Sequence, residues 1–289
     1  MTIWFHAIRP KTLVAGAAPV LVGSALAWAD GRFVDWVGAL ALVCAVLIQI
    51  ASNFINELED FKRGADARRV GPIRAVSAGL ITPASMRRAS WGVVLTAFVL
   101  GLPIVWHAGP IVLGIGVVCL VMAWMYTGGP FPLAYHGLGE VFAFLFFGVV
   151  AVAGTYYAHA GRWSADAFVA SVGPGLLAAN ILAVNNLRDM YTDAIANKRT
   201  LAVRFGAMFA RIAYAVCTAV AIAVPSIVLS THRGPWVLLP LITMPLGIMF
   251  MALIHRRSGA ELNPLLGGTA LLYVMYTVCA VMGIALSRL

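Results

Sequence analysis

Charge is what this 289-residue chain has least of. Asp, Glu, Lys and Arg together make up 11% of it, where a soluble domain carries about 25%. Carboxylates are the scarcer sign, eleven against twenty Lys and Arg. Long polar stretches are missing too. The longest segments without an apolar run, about 57–87 and 188–206, are too short to hold cores of their own. These shortages exclude a soluble globular enzyme, and the 62% apolar content excludes a disordered chain. The net charge of +9 sits on a membrane-like composition, so no nucleic acid is expected as a partner. Cysteine is sparse: Cys44, Cys119, Cys217 and Cys279 stand singly inside apolar runs, without a CxxC pair, and read as small buried hydrophobes. No cleavable leader is expected, because the first apolar run starts near Leu13, after Arg9 and Lys11, and is long enough to span.

What is present is a succession of apolar runs. A membrane span needs about 20 mostly apolar residues. Nine runs qualify, at about 12–29, 36–56, 88–106, 110–126, 138–157, 166–187, 208–230, 236–254 and 267–286. The fourth is the weakest, short and ended by Gly128-Gly129-Pro130. The expected fold is therefore all-α, a polytopic membrane protein of nine transmembrane helices, with residues 1–289 forming a single domain. With the N-terminus placed in the cytoplasm, sixteen of the twenty cations fall on the cytoplasmic side. That asymmetry predicts an N-in, C-out arrangement.

The few carboxylates are not scattered. Six of the eleven lie in two short segments, Glu57, Glu59, Asp60 and Asp66 after the second run, and Asp189 and Asp193 after the sixth. Asn53, Asn56 and Asp60 are spaced by 3 and then 4, and so are Asn186, Asp189 and Asp193. On a helix such residues share one face. Each set is followed by a basic pair, Lys62-Arg63 and Lys198-Arg199. Four runs separate the two sets. This predicts two four-helix pseudo-repeats plus one further helix, with the acidic columns facing each other across one cavity. Asp and Asn oxygens suit Mg²⁺, which takes a few carboxylates together with substrate phosphates. Clustered Lys and Arg suit a polyanion. The combination predicts a cradle for a Mg²⁺–diphosphate on a lipid-like substrate.

The segments NFINELEDFKRGAD (53–66) and NNLRDMYTDAIANKRTLAVRFG (185–206) resemble the two aspartate-rich motifs of the UbiA superfamily of intramembrane prenyltransferases. RPKTL (9–13), VGPIRAVSAGLIT (70–82), YTGGP (126–130) and GLGE (137–140) make the chain most similar to the MenA branch, the 1,4-dihydroxy-2-naphthoate polyprenyltransferases. One departure is Glu57, where that branch usually has Asp. A Glu57→Asp exchange is accordingly expected to be tolerated.

The resemblance implies transfer of a polyprenyl group from its diphosphate to an aromatic acceptor, dihydroxynaphthoate, with loss of CO₂ on the way to menaquinone. It implies Mg²⁺ as cofactor and a place in the bilayer of the bacterial inner membrane, with the active site facing the cytoplasm. Asn56, Asp60, Asp189 and Asp193 would hold the metal, with Asn53 and Asp66 as weaker ligands, and turnover would depend on Asp60, Asp189 and Asp193. Lys62, Arg74, Lys198 and Arg199 would neutralise the leaving diphosphate, joined by Tyr126, for which an interface-belt tyrosine is the alternative. Arg9, Lys11 and Arg188 are candidates for the acceptor carboxylate, although Arg9 and Lys11 equally suit positive-inside anchoring. Aromatic residues of the fifth run, Phe142, Phe144, Phe146, Phe147, Tyr156 and Tyr157, are candidates to line a cation-protecting cavity. Other phenolic acceptors, such as 4-hydroxybenzoate or homogentisate, remain open. So do two other classes: a transporter, which would place its acids near mid-membrane, and a prenyl-diphosphate phosphatase, which would need a nucleophile or base beside the acids.

Overall fold

The computed structural model describes residues 2–65 and 73–288, and over these the chain is helical, with no strand. A short α1 (Thr2–Ile8) turns through Arg9 into α2 (Pro10–Ala29), followed by α3 (Asp35–Lys62), α4 (Pro83–Ala108) and α5 (Pro110–Met125). A second group starts with a rod made of α6 (Gly139–Phe144), a π-helical segment Leu145–Val150, and α7 (Ala151–Ala160). It continues with α8 (Ala165–Arg188), α9 (Met190–Ile195) and α10 (Leu201–Arg233), which is kinked at Gly206 (φ 83°). The 3₁₀ segment Pro235–Thr243 leads into α11 (Met244–Arg256), and α12 (Asn263–Leu286) closes the chain.

Among the described residues, eight helical rods are long and apolar enough to cross a membrane. The remaining apolar helix, α5, has 16 residues, fewer than the roughly 20 a span needs. The nine rods follow the nine apolar runs in order, and α5 is the run ended by Gly128-Gly129-Pro130. α4 begins five residues before the run it carries. Thr82 caps it by accepting from the Ser85 amide, and Pro83 occupies the first turn, where its missing N–H costs nothing. The outside of the bundle carries Trp91, Leu95, Val99, Trp106, Val118 and Met282, all exposed. Such a surface needs a lipid solvent. The protein is an integral membrane protein.

Two close contacts set the helices that matter for function. A Cβ on Gly16 of α2 would lie 2.9 Å from the Ala45 carbonyl oxygen of α3, so α2 and α3 meet backbone to backbone. A Cβ on Gly148 would lie 2.7 Å from the Ser171 carbonyl oxygen, which lets the π-helical segment lean on α8. Small residues allow this approach where no hydrophobic effect drives helices together. At one end of the bundle Arg233 bonds Asp30 and Asp166, His232 bonds Asp166, and the Tyr156 hydroxyl donates to Asp30. That network ties the ends of α2, α7 and α10 to the start of α8. The opposite end is where the acidic segments lie.

Candidate active site

The last turns of α3 carry one half of the site. Asp60 is 3% exposed, so its charge needs partners. It accepts from the Tyr135 hydroxyl at 2.9 Å, and Arg74 and Lys198 stand 3.6 and 3.9 Å from its other oxygen. One turn earlier, Asn56 Oδ1 accepts from the Thr127 hydroxyl at 2.7 Å. Glu57, on the same side of the helix, accepts from the Val76 amide at 2.9 Å and lies 3.8 Å from Arg9. It therefore pins the turn that delivers Arg74.

The end of α8 carries the other half. The helix does not run on through the second acidic set: it ends at Arg188, Asp189 is the cap with φ −93° and ψ 7°, and α9 restarts at Met190. Asp189 and Asp193 therefore sit on either side of a break, held in register by the Asp193 amide donating to the Asp189 carbonyl at 2.8 Å. Arg188, buried, donates to both Asp189 oxygens at 2.8 and 2.6 Å and to Asn263 at 3.0 Å. Asp193 lies 3.9 Å from Lys198. The Asn186 amide nitrogen donates to Glu140 at 2.8 Å.

These two halves line a single cavity of about 500 Å³, walled by Asn56, Glu57, Asp60, Arg74, Tyr126, Asn185, Asn186, Arg188, Asp189, Asp193 and Lys198, with Arg9 and Lys11 at the α1–α2 corner. The cavity adjoins an apolar one of about 220 Å³, sharing Arg9, Thr12, Asn56, Tyr126, Leu182 and Asn185 with it. Phe142, Phe146 and Phe147 line the apolar chamber. The π-helical segment, whose wider turn shifts the helix face, contributes Phe146 and Phe147. A third, apolar cavity shares Ala45, Ile48, Cys119 and Ala151 with the chamber and extends to Phe98, Leu102, Leu113 and Val117 on the lipid-facing surface. A polar mouth thus leads through an apolar chamber toward the bilayer.

Not every expected residue comes to the cavity. Lys62 is exposed and pairs with Glu59 at 2.6 Å. Arg199 is exposed as well, with its backbone amide bonded to the Tyr135 carbonyl and its carbonyl to Arg204. Asn53 lines the apolar chamber instead, where its amide nitrogen bonds the Ile8 carbonyl at 2.8 Å and Thr12 at 3.1 Å. It fixes the corner at Arg9, a residue in the left-handed region with φ 55°. Phe144 packs beside Gly175 and Tyr156 belongs to the far-end network. Asp66 lies outside the described residues. Four partners escaped the sequence reading: Tyr135, Thr127, Asn263 and Glu140 as a ligand of Asn186. Thr127 sits in a turn and Tyr135 in the single 3₁₀ turn Leu133–His136, where no periodicity singles them out.

A cation would fit this cavity only with help. Among the described residues no three His, Cys, Asp or Glu side chains come together as a closed metal cage. Asp60 and Asp193 share one ammonium, so a divalent ion between the two halves would be completed by oxygens from a ligand, as Mg²⁺ is when it binds phosphates. The carboxylates, the amide oxygens and the surrounding Arg and Lys suit such an ion-plus-anion ligand.

The comparisons with known proteins decide the lineage. The family model "UbiA prenyltransferase family" matches residues 17–266. The chain belongs to the UbiA prenyltransferase family. It is an enzyme of that family, a prenyltransferase embedded in the membrane. A protein of Mycobacterium tuberculosis named 1,4-dihydroxy-2-naphthoate octaprenyltransferase is 38% identical over 288 residues, 99% of this chain and 98% of its own. One of the same name from Escherichia coli is 38% identical over 72% of this chain and 70% of its own. These relatives bear out the resemblance to the MenA branch. Among solved structures, a UbiA homolog from Archaeoglobus fulgidus bound to GPP and Mg²⁺ superposes with a TM-score of 0.68 at 14% identity, covering 96% of this chain and 99% of that one. That likeness bears out the all-helical fold.

Proposed function

We propose that this UbiA-family enzyme transfers a polyprenyl group from its diphosphate to 1,4-dihydroxy-2-naphthoate, releasing CO₂ and giving a demethylmenaquinol for menaquinone biosynthesis. The whole chain acts as one domain, in the bacterial inner membrane, with the polar mouth facing the cytoplasm. The observation that carries this reading is the meeting of Asp60 and Asp193 at Lys198, at the mouth of an apolar chamber. The names of relatives 38% identical to this chain support the acceptor, and the Mg²⁺ and GPP of the Archaeoglobus homolog support the metal and the donor class.

Asn56, Asp60, Asp189 and Asp193 would hold Mg²⁺, which when bound supplies positive charge to the departing diphosphate oxygens. A carboxylate has about four lone-pair sites, so accepting from Arg188 does not by itself keep Asp189 from a metal. Arg74 and Lys198 stabilise charge that grows on the leaving group, as preorganised donors do. Tyr126, at the joint between the polar and apolar cavities, is placed to donate to it. The C1–O bond of the prenyl diphosphate breaks and its electron pair leaves with the diphosphate. Phe142, Phe146 and Phe147 keep water from the allylic cation and offer aromatic faces to it. The ring carbon bearing the carboxylate bonds C1, and the C–CO₂ electron pair returns to the ring as CO₂ departs. Aromaticity is restored without a dedicated base. Arg9, Lys11 and Arg188 line the mouth where the acceptor carboxylate would be held before that step.

An acceptor panel tests the reading. Purified enzyme with Mg²⁺ and a polyprenyl diphosphate is offered dihydroxynaphthoate, 4-hydroxybenzoate and homogentisate, and products are identified by mass spectrometry. The expected product is prenylated naphthoquinol alone. Prenylation of another acceptor in its place, or free prenol without alkylation, contradicts it.

A further inference from the structure

Glu140 begins the α6 rod, inside GLGE, yet it does not line the polar cavity. Its Oε1 accepts from Asn186 Nδ2 at 2.8 Å, and its Oε2 is buried without a hydrogen-bond partner among the described residues. A carboxylate kept in such a place is costly. The Asn186 bond points to its use. A carboxyl oxygen that carries no proton can only accept, as Oε1 does here, whereas an amide has one donating and one accepting end. Glu140 therefore holds the nitrogen of Asn186, and the carbonyl oxygen is the end left to the cavity that Asn186 lines beside Asp189 and Asp193. That oxygen accepts no hydrogen bond among the described residues. Asn56 is not fixed in this way, because its partner Thr127 is a hydroxyl, which can donate or accept.

We propose that Glu140 is a positioning residue that fixes the sense of the Asn186 amide, so that Asn186 presents a carbonyl oxygen to the divalent cation of the site. This rests on the metal–diphosphate reading of the cavity. Outer partners of this kind orient ligands and typically govern metal affinity by about 10–100-fold. Replacing Glu140 by Gln keeps shape and removes the acceptor-only character. The amide of Asn186 is then free to turn and offer N–H groups to a cation.

The experiment measures Mn²⁺ binding by electron paramagnetic resonance on detergent-purified protein with a non-reacting prenyl thiodiphosphate. The Mn²⁺ Kd is expected to rise about tenfold in Glu140→Gln. Asn186→Ala should lose similar affinity. Adding Asn186→Asp to Glu140→Gln should restore it, because a carboxylate presents oxygen in either sense. At saturating Mn²⁺ the KM for the prenyl diphosphate should change less than twofold in Glu140→Gln. Wild-type Kd in Glu140→Gln or in Asn186→Ala, or a loss that Asn186→Asp does not rescue, overturns the inference. Wild-type protein that binds no Mn²⁺ under these conditions overturns the metal reading, and this inference with it.

Discussion

Lys198 Nζ stands 3.9 Å from a carboxylate oxygen of Asp60 and 3.9 Å from one of Asp193, so one ammonium joins the ends of the two acidic segments. It also lies 5.5 Å from the centre of the Tyr135 ring, which holds the other Asp60 oxygen. In the proposed reaction this cation would move from the two carboxylates to an arriving diphosphate. Replacing Lys198 by Ala removes a charged contact of the kind that contributes about 1.5–3 kcal/mol. The KM for the prenyl diphosphate should rise by about 10–100-fold at saturating metal. A KM within twofold of wild type would show that Lys198 serves the resting site only.

Asp60 and Asp193 should each be indispensable. Asp60→Ala and Asp193→Ala are expected to abolish turnover while the protein still purifies as a folded monodisperse species. Retained activity in either variant removes that residue from the proposed metal ligands. Tyr135→Phe takes only the hydroxyl from Asp60 and should cost about tenfold in kcat/KM, in line with one hydrogen bond to a charged group.

The contacts of Glu57 bear on the expected tolerance of Asp at this position. From the sequence an Asp at this position looked acceptable. In the fold, Glu57 reaches across to the Val76 amide at 2.9 Å while lying 3.8 Å from Arg9. Asp is one methylene shorter and cannot hold both. Glu57→Asp should destabilise by about 1–3 kcal/mol, the cost of leaving a buried group unpaired, seen as a lower melting temperature. It should also raise the KM for the prenyl diphosphate, since the Val76 turn delivers Arg74. Glu57→Gln keeps the length and should be milder in both. A Glu57→Asp variant that melts with wild type contradicts this role.

Cys119 lines both apolar cavities and stands where the chamber meets the lipid-facing groove. Cys119→Phe should narrow that passage. Geranyl diphosphate turnover should stay within twofold of wild type, while a polyprenyl donor of eight units should lose about tenfold or more. Equal losses with both donors would place the tail elsewhere.

The spans were legible because lipid leaves the backbone no alternative to long apolar helices. The acids were legible because they were so few and so regularly spaced. Lys62 was singled out because a basic pair follows each acidic set, and following in sequence does not fix a helix face. Two residues along a helix turn about 200°, so Lys62 points away from the Asp60 side and meets Glu59 instead. Asn53 shares the face of Asn56 and Asp60, but it is a turn deeper, where α1 and α2 supply a carbonyl and a hydroxyl for its amide. The break at Asp189 was hidden because the 3-and-4 spacing persists across it. Tyr135 and Thr127 lie in connecting turns, and only the tertiary fold brings them to Asp60 and Asn56.

The most direct test of the central claim follows two labels at once. Enzyme in proteoliposomes receives Mg²⁺, a polyprenyl diphosphate labelled in the chain, and dihydroxynaphthoate labelled in its carboxyl group. The account predicts one labelled CO₂ for each labelled chain joined to the naphthalene ring, with neither formed when Mg²⁺ is chelated. Labelled prenol without CO₂, or a prenylated product that keeps its carboxyl label, would contradict it.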